Sequence, residues 1–186
     1  MSSCFCTKTT SLQSLEEIYR QYANRVYNIA LNHLRNVEDA EEVVQDVFLA
    51  VHEKAIQFEG KSTLGTWIYR IAVNRSLDKL KSRSAQKRGW GVLQYFDVFT
   101  QWVPQQNTEF NHPGVALEYK ETLQQWFGWI DQLPEKQRTA LILVRLEGLE
   151  ISEVAQIMNI SVKAVDALLS RARKKLLKFS QKSEGK

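Results

Sequence analysis

The stretch from Gly148 to Phe179 leaves a chain like this few choices of fold. Its apolar residues recur at helical spacing in two blocks, Val154, Ala155 and Met158 in the first and Val165, Leu168, Leu169 and Ala172 in the second. Between them Asn159 and Ile160 leave room only for a tight turn, and Ser161 is suited to cap the second helix. Ala155 is small where two crossing helices need close approach, and Ile160 is placed to fold back onto both. The second helix ends in Arg171, Arg173, Lys174, Lys175 and Lys178. A helix-turn-helix with a basic second helix is the usual device for presenting side chains to a DNA major groove. Two other readings fit the same stretch, a packing hairpin and a protein-binding module, since basic residues in a last turn also complement the helix dipole.

The rest of the chain has to supply a core for that hairpin. With 186 residues, 44% of them hydrophobic, and only 3 prolines and 8 glycines, the expected class is all-α: two small helical domains joined by a linker. The net charge of +4 permits nucleic-acid binding without demanding it, so the distribution of charge matters more than its sum. No apolar run approaches the roughly 20 residues that span a bilayer, and the N-terminus lacks the basic-then-apolar order of a secretion signal. Cys4 and Cys6 sit together in a polar leader, which fits a reducing, cytoplasmic setting. His33, His52 and His112 are scattered, so neither a metal site nor a cofactor is expected. No catalytic constellation and no phosphate-binding glycine motif is present either, and the expectation is a non-enzymatic protein.

Taken in order, residues 1–14 read as a flexible leader and 15–84 as the first domain. Leu15 to Leu34 carries one helical face and a second helix is expected from Val37 to about Gln57, capped by Asn36. The second helix is lopsided in charge: Glu38, Asp39, Glu41, Glu42, Asp46, Glu53 and Glu59 outweigh Arg35 and Lys54. Phosphate would repel such a surface. Its first-turn carboxylates suit the helix dipole, whereas Asp46, Glu53 and the outward sides of Val43 and Val47 are candidates for contact with a basic protein partner. After a break at Phe58–Thr63, a third helix is expected from Leu64 to about Arg83, capped by Ser62 or Thr63. Leu64, Trp67, Ile68, Ile71, Ala72 and Leu80 would form its inner face, and Arg70, Arg75, Lys79, Lys81 and Arg83 its basic outer one. Asn74 and Asp78 lie one turn apart on the same strip. Cations beside aromatic rings and a short polar loop suit single-stranded nucleic acid.

Three runs resemble the extracytoplasmic-function sigma factors of bacterial RNA polymerase. Phe58 through Asp78 resembles their promoter-melting region, Asp39 through Phe48 their core-polymerase-binding helix, and the helix-turn-helix with Ser170 through Leu176 their second DNA-binding domain. The resemblance covers about residues 15–83 and 115–178. It implies a dissociable initiation factor that binds core polymerase through Asp39, Glu42, Val43, Asp46, Val47, Ala50 and Glu53. The loop Phe58, Glu59, Gly60, Lys61, Ser62 and Thr63 would accept a flipped base of the −10 element, and Trp67, Arg70, Asn74, Arg75, Asp78 and Lys79 would face the melted strand. It also implies an anti-sigma factor as a further partner, which exposed apolar surface on the first two helices, or the aromatic linker, would serve.

Residues 85–114 read as the interdomain linker. Gly89 to Tyr119 holds no lysine or arginine, and the run from Trp90 to Val103 is aromatic beyond what a free tether needs, which favours docking. The second domain, 115–179, opens with a helix expected over Ala116–Ile130, breaks at Leu133-Pro134-Glu135, and continues from Gln137 to Leu146 with a stop at Gly148. Residues 180–186 form a tail. On the second helix of the hairpin, Lys163, Ala164, Asp166, Ala167 and Ser170 are the candidates for base edges, and Arg171, Arg173, Lys174 and Lys175 for phosphate. The resemblance makes the −35 duplex their target. Asp166 departs from the lysine or arginine frequent there in that family and leaves the base preference unread. The competing function is a dimeric helix-turn-helix regulator that binds operator DNA without polymerase. It accounts for residues 148–178 but not for the acidic helix or for Phe58–Asp78.

Overall fold

Asn36 decides how the first hairpin is built. Its side-chain oxygen accepts from the Asp39 backbone N–H at 2.8 Å and caps α2 (Val37–Lys54). Arg35, just before it, closes α1 (Leu15–Leu34) in the left-handed conformation, φ 54°, with its N–H on the Leu31 carbonyl at 2.9 Å. The computed structural model describes residues 15–54, 58, 60, 62–86 and 124–184, the side chains of 84–86 and 184 aside. Cys4 and Cys6, Glu59 and Lys61, the aromatic run from Trp90 to Val103, and residues 116–123 of the expected helix lie outside the described residues. Every regular element among the described residues is helical.

α3 (Leu64–Gln86) is capped by Thr63, whose hydroxyl oxygen accepts from the Thr66 N–H at 3.1 Å. It packs against both α1 and α2 and completes a three-helix unit. At its start the α1 ring of Tyr22 comes so close to Gly65 that a Cβ there would lie 3.0 Å from it. Beyond the linker, α4 covers 124–131 and Pro134 restarts the chain into α5 (Glu135–Leu141), as expected of a proline at a helix start. α5 then widens into a π-helical turn, Ile142–Leu146, that ends with the Glu147 N–H on the Ile142 carbonyl at 3.0 Å. Gly148 follows at φ 66°, which a side chain would strain. α6 (Ile151–Met158) and α7 (Val162–Glu184) form the helix-turn-helix, with Asn159 left-handed at φ 52° between them and Ser161 capping α7.

The buried cluster does not stop at the domain boundary. It runs from Val26, Ile29 and Val47 through Ile68 and Ala72 to Leu143, Val154 and Val165, and α6 packs directly on α3. This explains why the inner face expected for α3 is incomplete. Tyr69 and Val73 are buried as well as Ile68 and Ala72, because α3 is covered from two sides. In α6 the buried set is Val154, Ala155 and Ile157, with Met158 only partly covered. α2 is described as far as Lys54, and residues 55–57, over which it was expected to continue, lie outside the described residues.

The left-handed turn at Asn159 sets the crossing of α6 and α7. Asn159→Gly should leave stability nearly unchanged, whereas Asn159→Val should lower it by about 1–2 kcal/mol, because a β-branched residue is poorly tolerated there. Urea denaturation of the two variants gives the ranking, and equal midpoints would contradict the role assigned to the turn.

Candidate nucleic-acid interface

The charges that look alike in sequence are sorted by α3. Lys79 forms ion pairs with Asp39, at 3.5 Å, and with Glu42, and Arg83 pairs with Asp39. Burial alone would lower the Lys79 pKa, but its bonds to Glu42 and Asp39 outweigh that and raise it. The expectation that Asp39 and Lys79 stand free is corrected to this extent: they pair with one another between α2 and α3, whereas Glu42, paired with Lys79, keeps a side chain 60% exposed. Val43, Val47 and Ala50 are also corrected, being 1%, 0% and 5% exposed in the core between α2 and its neighbours. The apolar residue that α2 does present is Leu49, 61% exposed, which the sequence reading missed. With half-buried Asp46 and exposed Glu53 it makes an outward stripe at spacings of three and four. That periodicity was the signal available for it.

On the loop and α3, Phe58 packs on Trp67 with ring centroids 5.4 Å apart. Gly60 turns at φ 69°, Ser62 is half-buried, and Thr63 serves as the cap. Asn74, Arg75 and Asp78 are exposed along one strip. Arg70 is not free, because its guanidinium donates to the Gln156 carbonyl of α6. Glu59 and Lys61 lie outside the described residues.

α7 carries the third surface. Lys163, Asp166, Ser170, Arg171, Arg173 and Lys174 are all exposed, and the spacing of 163, 166, 170 and 174 keeps them on one face. Ala164 and Ala167 are half-buried at its edge. Lys175 is the exception among the expected phosphate contacts. Its ammonium donates to the Gln132 carbonyl at 2.9 Å and lies 5.8 Å from the Phe179 ring, so it ties α7 to the turn after α4.

This arrangement has a counterpart in known proteins. Residues 18–86 match the family Sigma-70 region 2 and residues 129–176 match Sigma-70, region 4. The chain is 29% identical over 164 residues to the ECF RNA polymerase sigma factor SigW of Bacillus subtilis, covering 84% of this chain and 83% of that protein. Its fold resembles the sigma factor RpoE solved with the anti-sigma factor NepR from Bartonella quintana, at a TM-score of 0.61 and 21% identity, over 89% of this chain and 96% of that one. It also resembles CnrH solved with the cytosolic domain of CnrY, at a TM-score of 0.63 and 19% identity, over 90% and 87% of the two chains. These two likenesses carry the fold alone. The two family matches, in order along the chain and in the units that contain the acidic helix and the helix-turn-helix, decide the question. The chain is an extracytoplasmic-function sigma factor of the sigma-70 family. As such it is a dissociable initiation subunit that binds core RNA polymerase and promoter DNA, and it is not an enzyme.

In this sigma factor the two DNA-binding units are packed together by a polar seam that no motif announced. Asn32 donates to Glu147 at 2.8 Å, and Thr66 donates to Glu153 at 3.4 Å. The buried Arg35 lies 3.8 Å from Asp131, its guanidinium 4.0 Å from the Phe127 ring centre. Arg138 reaches the same Asp131 at 3.9 Å. Partial burial raises the pKa of both Asp131 and Glu147. The neighbouring arginines oppose this at Asp131, and Asn32 and Arg25 oppose it at Glu147.

His33 sits in the middle of the seam, 1% exposed. Its Nδ1–H donates to the Ile29 carbonyl at 2.7 Å, so Nε2 is the acceptor for the Thr139 hydroxyl at 3.3 Å. Burial lowers its pKa from 6.5 to about 4; the Ile29 bond works against this, and Arg138 and Arg35 add to it. A neutral imidazole is therefore part of the packed state. Because any state that exposes His33 binds the extra proton, its contribution is complete above the ordinary histidine pKa and is lost as pH falls toward the depressed one. Between pH 7 and pH 5 the cost is roughly 2 kcal/mol. Asp131 and Glu147 act in the opposite sense, since their raised pKa values favour protonation in the packed state. Comparing the drop in urea midpoint for the wild type and for His33→Gln isolates the histidine, and the variant should show the smaller loss on acidification.

Proposed function

We propose that this sigma factor divides its work among three faces. The stripe of Asp46, Leu49 and Glu53 on α2 engages core polymerase. The strip of Trp67, Arg70, Asn74, Arg75 and Asp78, with the loop at Phe58–Thr63, takes the −10 element in single-stranded form. The α7 face reads the −35 duplex, with Lys163, Asp166 and Ser170 nearest the bases and Arg171, Arg173 and Lys174 on phosphate. The observation that supports this division is the segregation of free charge. Asp39 and Glu42 of α2 are engaged by Lys79 and Arg83 of α3, while the α7 cations Lys163, Arg171, Arg173 and Lys174 are exposed. A polymerase partner puts the protein in the cytoplasm. Asp166 favours a donor such as the cytosine amino group over a second acceptor at its position.

An anti-sigma factor is the regulatory partner this reading carries, because the solved relatives RpoE and CnrH were each captured in a complex, with NepR and with the cytosolic domain of CnrY. Exposed Tyr19 and Leu49 on the first two helices offer it apolar contact.

Reconstitution with σ-free core polymerase tests the whole. Promoter-specific run-off transcripts are expected, and a two-fold dimer that binds its site tightly without polymerase would overturn the reading. Within that assay Asp46→Lys should weaken polymerase binding at least several-fold through charge repulsion, while −35 duplex binding by α7 is unchanged. Lys163→Ala should redistribute preference among −35 sequences. Lys174→Ala should instead weaken all sequences alike and reduce the salt slope by about 1. The reverse pattern for the two lysines would refute the assignment of base and phosphate contacts.

A further inference from the structure

α7 begins with an apolar residue that the core does not use. Val162 stands three residues before Val165, a spacing that suits the inner face of the helix, where Val165 and Ala172 are 0% exposed. Val162 itself is 47% exposed. The turn before it explains the difference. With Asn159 left-handed, the Ile160 N–H returns to the Ala155 carbonyl at 3.0 Å, and Ile160 packs against the buried cluster. Ile160 thereby fills the apolar place at the start of the hairpin, and the first residue of α7 is left on the solvent side. A lone exposed valine is ordinary on a protein surface, so its neighbours decide what it can do. Asp166 follows one turn later on the same strip, Lys163 stands beside it, and Arg171 and Lys174 further along are exposed cations suited to phosphate. In a helix-turn-helix the first residues of the second helix lie nearest the base edges. Thymine alone among the bases presents an apolar group there, its C5 methyl.

We propose that Val162 is a further specificity residue of this sigma factor, selecting thymine in the −35 element by packing against the C5 methyl group. The inference deepens the assignment of α7 to the −35 duplex and rests on it. Val162 has no side-chain donor or acceptor. An amino, carbonyl or ring-nitrogen edge placed against it loses water without gaining a partner, whereas a methyl group gains a dry contact. The helix also sets the spacing. Four residues of α-helix rise about 6 Å, close to two base pairs at roughly 3.4 Å each. The thymine therefore lies within about two base pairs of the cytosine or adenine whose amino group donates to Asp166. One residue reads a methyl group and the other a donor, so the pair distinguishes bases that neither separates alone.

The full-length factor, assembled with σ-free core polymerase, selects from promoter-length duplexes randomised over both elements. Each thymine of the enriched upstream element is then replaced singly by deoxyuridine, which removes only the methyl group. Binding is measured for wild type, Val162→Ala and Val162→Ile. At one thymine the replacement should weaken wild-type binding about fourfold, the worth of one buried methyl group. Val162→Ile should keep that sensitivity and Val162→Ala should lose it. At the same position 5-methylcytosine should bind wild type more tightly than cytosine, and Val162→Ala should treat the two alike. An enriched element in which no deoxyuridine replacement weakens binding, or one that weakens wild type and Val162→Ala equally, would overturn the role of Val162 alone. Failure to enrich any upstream element, or an element that Lys163→Ala and Asp166→Ala both leave unshifted, would instead remove the assignment of α7 to the −35 duplex, and this role with it.

Discussion

Burial of α3 on two sides is the constraint on which the rest of this structure depends. A helix at the surface of a small domain needs one apolar stripe, but α3 buries Ile68, Tyr69, Ala72 and Val73, which together exceed one stripe. Each fully buried Ile or Val contributes about 1.5–3 kcal/mol relative to exposure, so the choice of what covers each side is energetically decisive. α1 and α2 take one side and α6 takes another. The helix proposed to meet the melted strand is therefore also the helix that joins the two units. Arg70 is drawn into that packing, while Asn74, Arg75 and Asp78 of the same strip stay exposed.

Electrostatics then separates surfaces that composition leaves mixed. The acidic first half of α2 faces Lys79 and Arg83 of α3, and those pairs orient the two helices. Partly exposed pairs of this type contribute little stability, with exposed pairs worth about 0.2–1 kcal/mol. Their consequence is placement: Asp39 is engaged inside the unit, and the outward acidic surface runs from Glu42 toward Asp46 and Glu53. The seam between units uses charge differently. Arg35, Glu147 and the neutral His33 are nearly buried there, Glu147 and His33 each with a hydrogen-bond partner in the other unit and Arg35 beside the Asp131 carboxylate and the Phe127 ring. Separation of the units would expose all three to water together with the apolar contact of α6 on α3.

Much of this was legible before any coordinates. Local rules placed the caps at Asn36, at Ser62 or Thr63, and at Ser161, the proline restart before Glu135, the stop at Gly148 and the inward Val165 and Ala172, because each depends on neighbours within a turn or two. What the sequence leaves open has a common cause. Val43 and Val47 were read as partly outward because the acids around them suggested an exposed helix, whereas a β-branched pair four residues apart makes one strip that α1 and α3 cover. Lys79 and Lys175 look like free cations in the sequence because both stand on basic helices, yet each has a partner within the chain. Their partners, Glu42 and the Gln132 carbonyl, lie 37 and 43 residues away in the chain. The π-helical turn that ends at Glu147 has no sequence signature of its own.

The sequence by itself determined the helical class, the order of the elements, the helix-turn-helix and the family, because hydrophobic period, capping chemistry and motif spacing are local or ordered along the chain. Tertiary structure alone decided which charges are free, which valines are core, and that the two DNA-binding units close on one another through Arg35, His33 and Arg70. Those outcomes depend on residues roughly 90 to 115 positions apart meeting in space, at Arg70–Gln156, His33–Thr139 and Asn32–Glu147. No periodicity encodes such a meeting, and for that reason the seam is where the structure adds most to what the sequence says.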